Sequence, residues 1–320
     1  MRRSAAAVLG MRPGGLLPIG RLLIRYLLVL TLQLWGEIAG AQSAWNEVPA
    51  GDAHRSGAFQ NPKLSESSGV TVSRKYPGVL WTLNDSGNPA WLFATDTLGR
   101  DRGIFGVTNA TNFDWEAISI GPCGSSDCLY LGDTGDNREG RSSIRLYRVV
   151  EPAPDSAGGE GRSTAPAQRL EVRYPDGAHD VEAMYVDQAG NCYLITKGTS
   201  GGVRLYRVPA SAWKLGRALA QPLGSLPIET AWMGGKLVTD AALAPDGKRV
   251  AVRTYQSIFL FRRSPDGRLT PERGHPACSV ARLDIQGEGV AWLDQKTLVL
   301  TSESTLGYPG TVAVAQCPPK

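Results

Sequence analysis

Five times along this 320-residue chain an acidic residue is followed by a small side chain and a short apolar run. The five are Glu66-Ser-Ser-Gly-Val, Glu116-Ala-Ile-Ser-Ile, Glu182-Ala-Met-Tyr-Val, Asp240-Ala-Ala-Leu-Ala and Glu288-Gly-Val-Ala-Trp, spaced 50, 66, 58 and 48 residues apart. Repeats of about this length, each holding several short strands, are the signature of β-propeller blades. A carboxylate at the start of every innermost strand would set five charges around one central channel.

Between the acidic positions the same order of short apolar runs recurs. Val79-Leu-Trp-Thr-Leu, Cys128-Leu-Tyr-Leu, Asn191-Cys-Tyr-Leu-Ile, Arg249-Val-Ala-Val and Thr297-Leu-Val-Leu are the second strands of successive blades. Turn sequences such as Pro245-Asp-Gly247 and Pro265-Asp-Gly267 separate the runs. No long stretch carries a helical period, and the best helical segment is 210–220. These patterns predict an all-β chain forming a single β-propeller of five four-stranded blades. The last blade has only three strands, so the N-terminal segment 42–63, through His54–Leu64, is expected to supply its outer strand and close the ring. The alternative is a sixth blade built from 42–62 and part of 150–175.

The chain before residue 42 has a different character. Arg2, Arg3, Arg12, Arg21 and Arg25 precede an apolar stretch from Tyr26 to Trp35, and Ala39-Gly-Ala41 follows. A basic region, a short hydrophobic region and an A-x-A site predict a secretory signal over 1–41, cut before Gln42. The apolar stretch is too short for a membrane span. The formal charge of +4 sits in this leader, so residues 42–320 are near neutral and give no bulk attraction to nucleic acid or anionic membrane. An exported protein, periplasmic or extracellular, is expected to form disulfides. Cys123 and Cys128 are placed to staple a loop, Cys278 and Cys317 to pair near the ring closure, and Cys192 is left over. With only three histidines and no zinc-ligand spacing, zinc is not expected.

In each blade the second strand runs back toward the start of the first, so its end shares the channel mouth with the acidic position. The residues found there are Asn84 and Asp85, then Asp133, Asp136 and Asn137, then Lys197, then Arg253 and Tyr255, then Ser302 and Glu303. Carboxylates a few ångströms apart repel by roughly 4 kcal/mol per pair at an effective dielectric near 20, and a divalent cation relieves this. Oxygen donors of this kind suit calcium, with Asp85, Glu116, Asp133, Asp136 and Asn137 as its candidate ligands. Lys197 and Arg253 would hold an anion facing the metal, Glu182 or Glu288 would serve as base, and Glu66, Asn84, Asp240, Tyr255 and Glu303 would line the ligand site.

A purely structural reading competes at every one of these positions. Acidic residues at blade starts also accept hydrogen bonds from neighbouring loops, Asp-x-Gly is an ordinary turn, and Lys197 and Arg253 could simply neutralise the ring. His179 could act as a base at the mouth or merely cap a loop. Trp81, Trp91, Trp115 and Trp292 read as packing. Ser86 and Ser302 lack a histidine partner, which argues against a Ser-His-Asp hydrolase.

Ser65-Glu-Ser-Ser-Gly69, Leu80-Trp-Thr-Leu-Asn-Asp-Ser-Gly87, Asp114-Trp-Glu116, Gly132-Asp-Thr-Gly-Asp-Asn137, His179-Asp-Val-Glu182 and Gly287-Glu-Gly289 stand over about residues 60–310. In these motifs the chain resembles a group of secreted bacterial β-propellers described as phytase-like (esterase-like activity of phytase) or SdiA-regulated in type. The resemblance implies a secreted propeller with calcium in the channel mouth. It leaves the activity open, because propellers of one shape host phosphatases, lactonases and binding modules alike. The leading expectation is a calcium-binding propeller whose mouth takes a small anionic ligand, acting on a phosphoester or lactone if it is an enzyme. The other readings are a non-catalytic scaffold for a protein or glycan partner, with calcium as a structural pin, and a lectin-like surface module.

Overall fold

The computed structural model describes residues 47–320 apart from 156–157, 160, 231–235, 275–276, 285 and 318–320. The expected secretory signal over 1–41 lies outside the described residues.

Five antiparallel sheets follow one another around a ring. The first blade contains Ser67–Val72, Leu80–Asn84, Trp91–Thr95 and Ile104–Gly106, from the channel outward, and the second contains Trp115–Cys123, Ser126–Asp133, Ile144–Val150 and Gln168–Arg173. The third is Val181–Val186, Cys192–Thr196, Val203–Val208 and Gln221–Leu226. The fourth is Val238–Leu243, Arg249–Thr254, Ser257–Arg263 and two short outer strands, Leu269–Pro271 and Cys278–Ser279. The fifth is Gly287–Trp292, Thr297–Ser302 and Thr311–Gln316, completed by the N-terminal strand Gly51–Ala58 running antiparallel to Thr311–Gln316. This is the five-bladed propeller the repeats predict, closed by a strand from the N-terminal side.

The sixth-blade alternative fails because its pieces belong to other sheets. Arg162–Ser163 pairs in parallel with the outer strand of blade one, and residues 51–58 are taken by blade five. Arg217–Leu219 likewise adds to blade two and Val48–Pro49 to blade four, each in parallel. These additions cover outer edges that would otherwise present unpaired backbone groups. The helical segment expected at 210–220 reduces to a 3₁₀ turn, Ala210–Lys214, followed by that edge strand.

Each sheet is sandwiched between two others, which is why its inner strands are buried on both faces, while outer strands such as Gln168–Arg173 and Gln221–Leu226 are largely exposed. The second strand of blade two shows the rule: Cys128 and Tyr130 enter the core shared with blade three, while Leu129 and Leu131 enter the core shared with blade one. In blade three Cys192 and Leu194 face blade two, and Tyr193 and Ile195 face blade four. Five such interfaces make up the core, the last formed by Phe59, Leu64, Leu80 and Phe93 against Ala291, Val299 and Val312 across the closure. Trp81 and Trp115 are wholly buried between blades one and two, as packing. The turns obey local chemistry: Gly247 and Gly267 end the two Pro-Asp-Gly sequences at φ of 71° and 92°, where a β-carbon would be strained.

Both expected disulfides are present, with Cys192 free and buried. Cys123–Cys128 staples the first hairpin of blade two, whereas Cys278–Cys317 ties the outer part of blade four to the end of blade five, next to the closure. No helix among the described residues is long and apolar enough to cross a membrane. The second bridge spans 39 residues and the first only 5. Serine replacement of Cys278 and Cys317 should therefore cost about 3–4 kcal/mol, and lower the melting temperature more than the same change at Cys123 and Cys128. Calorimetry of the two double variants checks this order.

Candidate functional site

The first strand of every blade breaks register where it enters the mouth. The pairing with the second strand slips between Ser67 and Gly69, Trp115 and Ala117, Val181 and Ala183, Val238 and Asp240, and Gly287 and Val290. Each slip is a β-bulge, a device that re-aims a side chain beside a site. The residues at the bulges are Ser68, Glu116, Glu182, Thr239 and Glu288. Three carboxylates and two hydroxyls, rather than five carboxylates, therefore occupy equivalent places.

Glu66 and Asp240 are thus corrected as ring members. Glu66 lies two residues before the bulge, half-buried, and accepts a hydrogen bond from the Asn88 amide. Asp240 lies one residue beyond it, completely buried, and its carboxylate accepts backbone N–H groups of Ala241 (2.8 Å), Val290 (2.8 Å) and Val70 (3.4 Å). It therefore pins the innermost strands of blades four, five and one together. The hydroxyls do related work: Ser68 donates to Glu116 Oε2 (2.7 Å) and Thr239 to the carbonyl of Glu288 (2.9 Å).

At the mouth Asp85, Asp114 and Glu116 present carboxylate oxygens within 4.8 Å of one another. Blade one supplies the first and blade two the others. Asn112 fixes this seam, donating to the carbonyls of Asn84 (3.1 Å) and Asp85 (2.7 Å) while accepting the Trp115 N–H (3.0 Å). Gly135 lies against the trio. A β-carbon there would stand 2.5 Å from Asp114 Oδ2 and 2.8 Å from Glu116 Oε1, so only glycine leaves that space open. Asp114 belongs to the motif Asp114-Trp-Glu116, yet its place in the trio was not legible, because only the bulge at Glu116 brings both carboxylates to one spot.

On the neighbouring blade three, beside Glu116, Lys197 Nζ donates to Glu182 Oε1 at 2.6 Å and lies 3.7 Å from Asp180 Oδ2. Burial raises the carboxyls of Glu116, Glu182 and Glu288, and the charge of Glu182 raises Glu116 and Glu288 further. Glu182 is pushed up to about 7 by burial, against the pull of Lys197. Burial and the charges of Asp85 and Glu66 lift the half-buried Glu303 to about 7. Asp114 rises to about 6 through burial and the charges of Asp85 and Asp180. The phenol of Tyr255 is held protonated by burial and by Glu288. Two cations lie against these acids, Lys197 at Glu182 and Arg141, which donates to the Gly135 carbonyl (2.7 Å) and lowers Asp114.

Several expected site residues are committed elsewhere. Asp133 is fully buried beside Arg141 (2.9 Å) and Arg145 (3.7 Å) and accepts the Asp114 N–H, which withdraws it from the ligand set. Asp136 accepts the Arg141 N–H (2.7 Å) and donates its own to Asp180 (2.8 Å), so it shapes the loop; Asn137 is exposed. Asn84 accepts the Glu66 N–H (3.1 Å) and donates to the Lys63 carbonyl (2.7 Å), a turn role. Arg253 is corrected as an anion holder: it has no exposed surface and binds Asp284 (2.9 Å) and the carbonyls of Gly289 (2.6 Å) and Thr301 (3.0 Å). His179 packs on Tyr174 and Tyr206 and binds Asp176 (3.2 Å).

No protein-family model matches this chain. No curated protein matches it either. Among solved structures it is similar to a streptogramin B lyase, at 13% identity over 83% of this chain and 73% of that one, with a TM-score of 0.40. It is similar to a gluconolactonase from Xanthomonas campestris at 13% identity over 84% and 99%, TM-score 0.43. A protein of unknown function from Bacteroides thetaiotaomicron is similar at 6% identity over 82% and 75%, TM-score 0.46. The propeller architecture described above follows from this chain's own strand pairing.

The opposite mouth is chemically different. A cavity of about 420 Å³ there is lined by Val72, Ile118, Ile120, Leu243, Trp292 and neighbouring residues, and Arg74 is its one charged side chain.

Two outcomes follow from this electrostatics. Asp114, Glu182 and Glu303 hold protons more tightly folded than unfolded, so between roughly pH 4 and 7 the folded state carries more protons. The metal-free protein is accordingly most stable at the acid end of that window and loses stability as pH rises through it, as thermal melts across the range would show. Separately, Arg253→Met should cost about 3–5 kcal/mol by stranding the buried Asp284. Pairing it with Asp284→Leu should recover part of that loss in denaturant titration.

Proposed function

We propose that the acidic mouth is a divalent-cation site, calcium by preference, and that the cation presents a small anionic ligand to the groups around it. The observation that carries this reading is the trio Asp85, Asp114 and Glu116 converging beside the open space at Gly135. Carboxylate oxygens alone, from a loop and two strand ends, form a hard and irregular donor set that suits calcium over zinc. Such a cation, when bound, would supply Lewis-acid polarisation of a ligand oxygen.

The chemistry these residues favour is hydrolysis of a phosphoester or lactone. Glu303, half-buried, raised to about 7 and held by the Gln286 amide, is placed to take a proton from attacking water. The ammonium of Lys197 would stabilise the negative charge developing on the substrate oxygen, while Glu182 holds it in position. As the ester bond breaks, the protonated carboxyl can return its proton to the leaving oxygen. Glu288 is more deeply buried; its charge raises the phenol of Tyr255, and its own carboxyl is raised by Glu182. The disulfides and the basic, apolar leader support an exported protein, periplasmic or extracellular. The reading agrees with the resemblance to phytase-like propellers, and near neutrality over residues 42–320 supports a small ligand over nucleic acid.

The test is a thermal melt of the chelated protein with calcium and then magnesium restored. Calcium should raise the melting temperature by several degrees, and Asp114→Asn or Gly135→Ala should remove the rise. Calcium-dependent turnover of phosphoesters or lactones should then fall at least about tenfold in Lys197→Ala and Glu303→Gln, with folding unchanged. No shift with either ion would sink the cation site. A calcium shift without turnover would leave a binding scaffold pinned by the metal.

A further inference from the structure

The loop that leaves Glu303 is built in an unusual way. Thr305 and Tyr308 exchange two backbone hydrogen bonds, both 3.0 Å, closing a two-residue hairpin turn around Leu306 and Gly307. Both central residues have positive φ, 53° at Leu306 and 82° at Gly307, as a type I′ turn demands. Asparagine or glycine is the residue for the first of these places; a leucine there holds a left-handed conformation that its side chain disfavours. Strain of this kind persists where something other than folding retains the residue.

Folding does not retain this leucine. Leu306 is 85% exposed and Tyr308 75%, so neither contributes to a core. The base of the loop, by contrast, is fixed at the mouth. Glu303 N–H donates to the Gln286 carbonyl (3.1 Å), Ser304 N–H to that of Ser65 beside Glu66 (2.8 Å), and Gly310 N–H to Ser304 Oγ (3.2 Å). The hairpin is therefore an anchored projection with an apolar tip, rooted beside the acidic cluster.

A second apolar group stands on the same rim. Phe113 is 62% exposed, immediately before Asp114, and the Arg141 guanidinium lies 4.9 Å from its ring centre. Blade five thus offers Leu306 and Tyr308, blade two offers Phe113, and Asp85 and Glu66 of blade one lie between them. Charged depths with an apolar rim match a ligand with two unlike ends.

Resting on the reading of the mouth as a cation-assisted anion site, we infer that its ligand is amphiphilic: an anionic group joined to an aryl or alkyl group. The anionic end enters the carboxylate-lined mouth against the cation, and Leu306 and Tyr308 cover the apolar end from the rim. The finger is then a specificity device that leaves the chemistry of the anion untouched.

The test compares methylphosphonate with phenylphosphonate by titration calorimetry on the calcium-loaded protein, in the wild type, Leu306→Asn and Tyr308→Ser. In the wild type phenylphosphonate should bind about tenfold more tightly, the effect of burying part of one ring. Either substitution should shrink that preference to about twofold or less while leaving methylphosphonate affinity as it was. Asparagine suits positive φ, so Leu306→Asn should melt at the wild-type temperature or above it, which separates lost recognition from lost folding. Equal affinity for the two phosphonates in the wild type, or a preference that survives both substitutions, overturns the inference alone. Calcium-dependent binding of neither phosphonate overturns the anion-site reading and the inference with it.

Discussion

Every sheet in this molecule must satisfy two neighbours at once. A strand has two faces, and for the inner strands of a ring of blades neither face meets water, so odd and even residues of one strand belong to different cores. Leu298 and Leu300 face blade four while Val299 faces blade one, and the same division repeats around the circle. At roughly 1.5–3 kcal/mol for each large apolar side chain taken out of water, these interfaces are the dominant stabilising term. They also make the ring cooperative, because an unclosed array would leave two such faces bare. The N-terminal strand and the Cys278–Cys317 bridge lie at or beside that closure.

The price of this geometry is paid in the channel. Innermost strands crowd together there, and polar groups at their starts are taken out of water whether or not they have partners. Asp240 and Arg253 show the structural solution: one carboxylate satisfied by three backbone N–H groups, one guanidinium by a carboxylate and two carbonyls. The mouth shows the opposite condition. Asp85, Asp114, Glu116, Glu182, Glu288 and Glu303 gather near the ammonium of Lys197 and the guanidinium of Arg141, and burial raises the carboxyls of Asp114, Glu116, Glu182, Glu288 and Glu303. Buried carboxyls with too little compensating charge cost a fold stability, which is the condition the proposed cation would relieve.

Rigid strands and projecting loops divide the labour at this mouth. The β-bulges aim Glu116, Glu182 and Glu288 inward from a framework braced on both sides, which fixes carboxylate positions. Exposed apolar side chains stand instead on loops, at Phe113 and at the strained turn of Leu306. Loops on a rigid scaffold can change what a site recognises without disturbing the core beneath it.

The sequence alone determined the class of fold and the number of blades. Short runs with turns between them, and an acidic position recurring once per blade, are local features that survive translation into strands. The closing strand was also legible, since the last repeat was one strand short. Register was not legible. Glu66-Ser-Ser-Gly and Glu116-Ala look alike in a one-dimensional alignment, but the bulge sets Ser68, not Glu66, opposite Glu116. A one-residue shift likewise turned Asp240 from the mouth toward the backbone of three strands. The trio with Asp114, and the burial of Arg253 against Asp284, arise between blades, from residues far apart in the chain. Strand identity is written in neighbouring residues, whereas the direction and partner of a charged side chain depend on bulges and on which blade stands beside it.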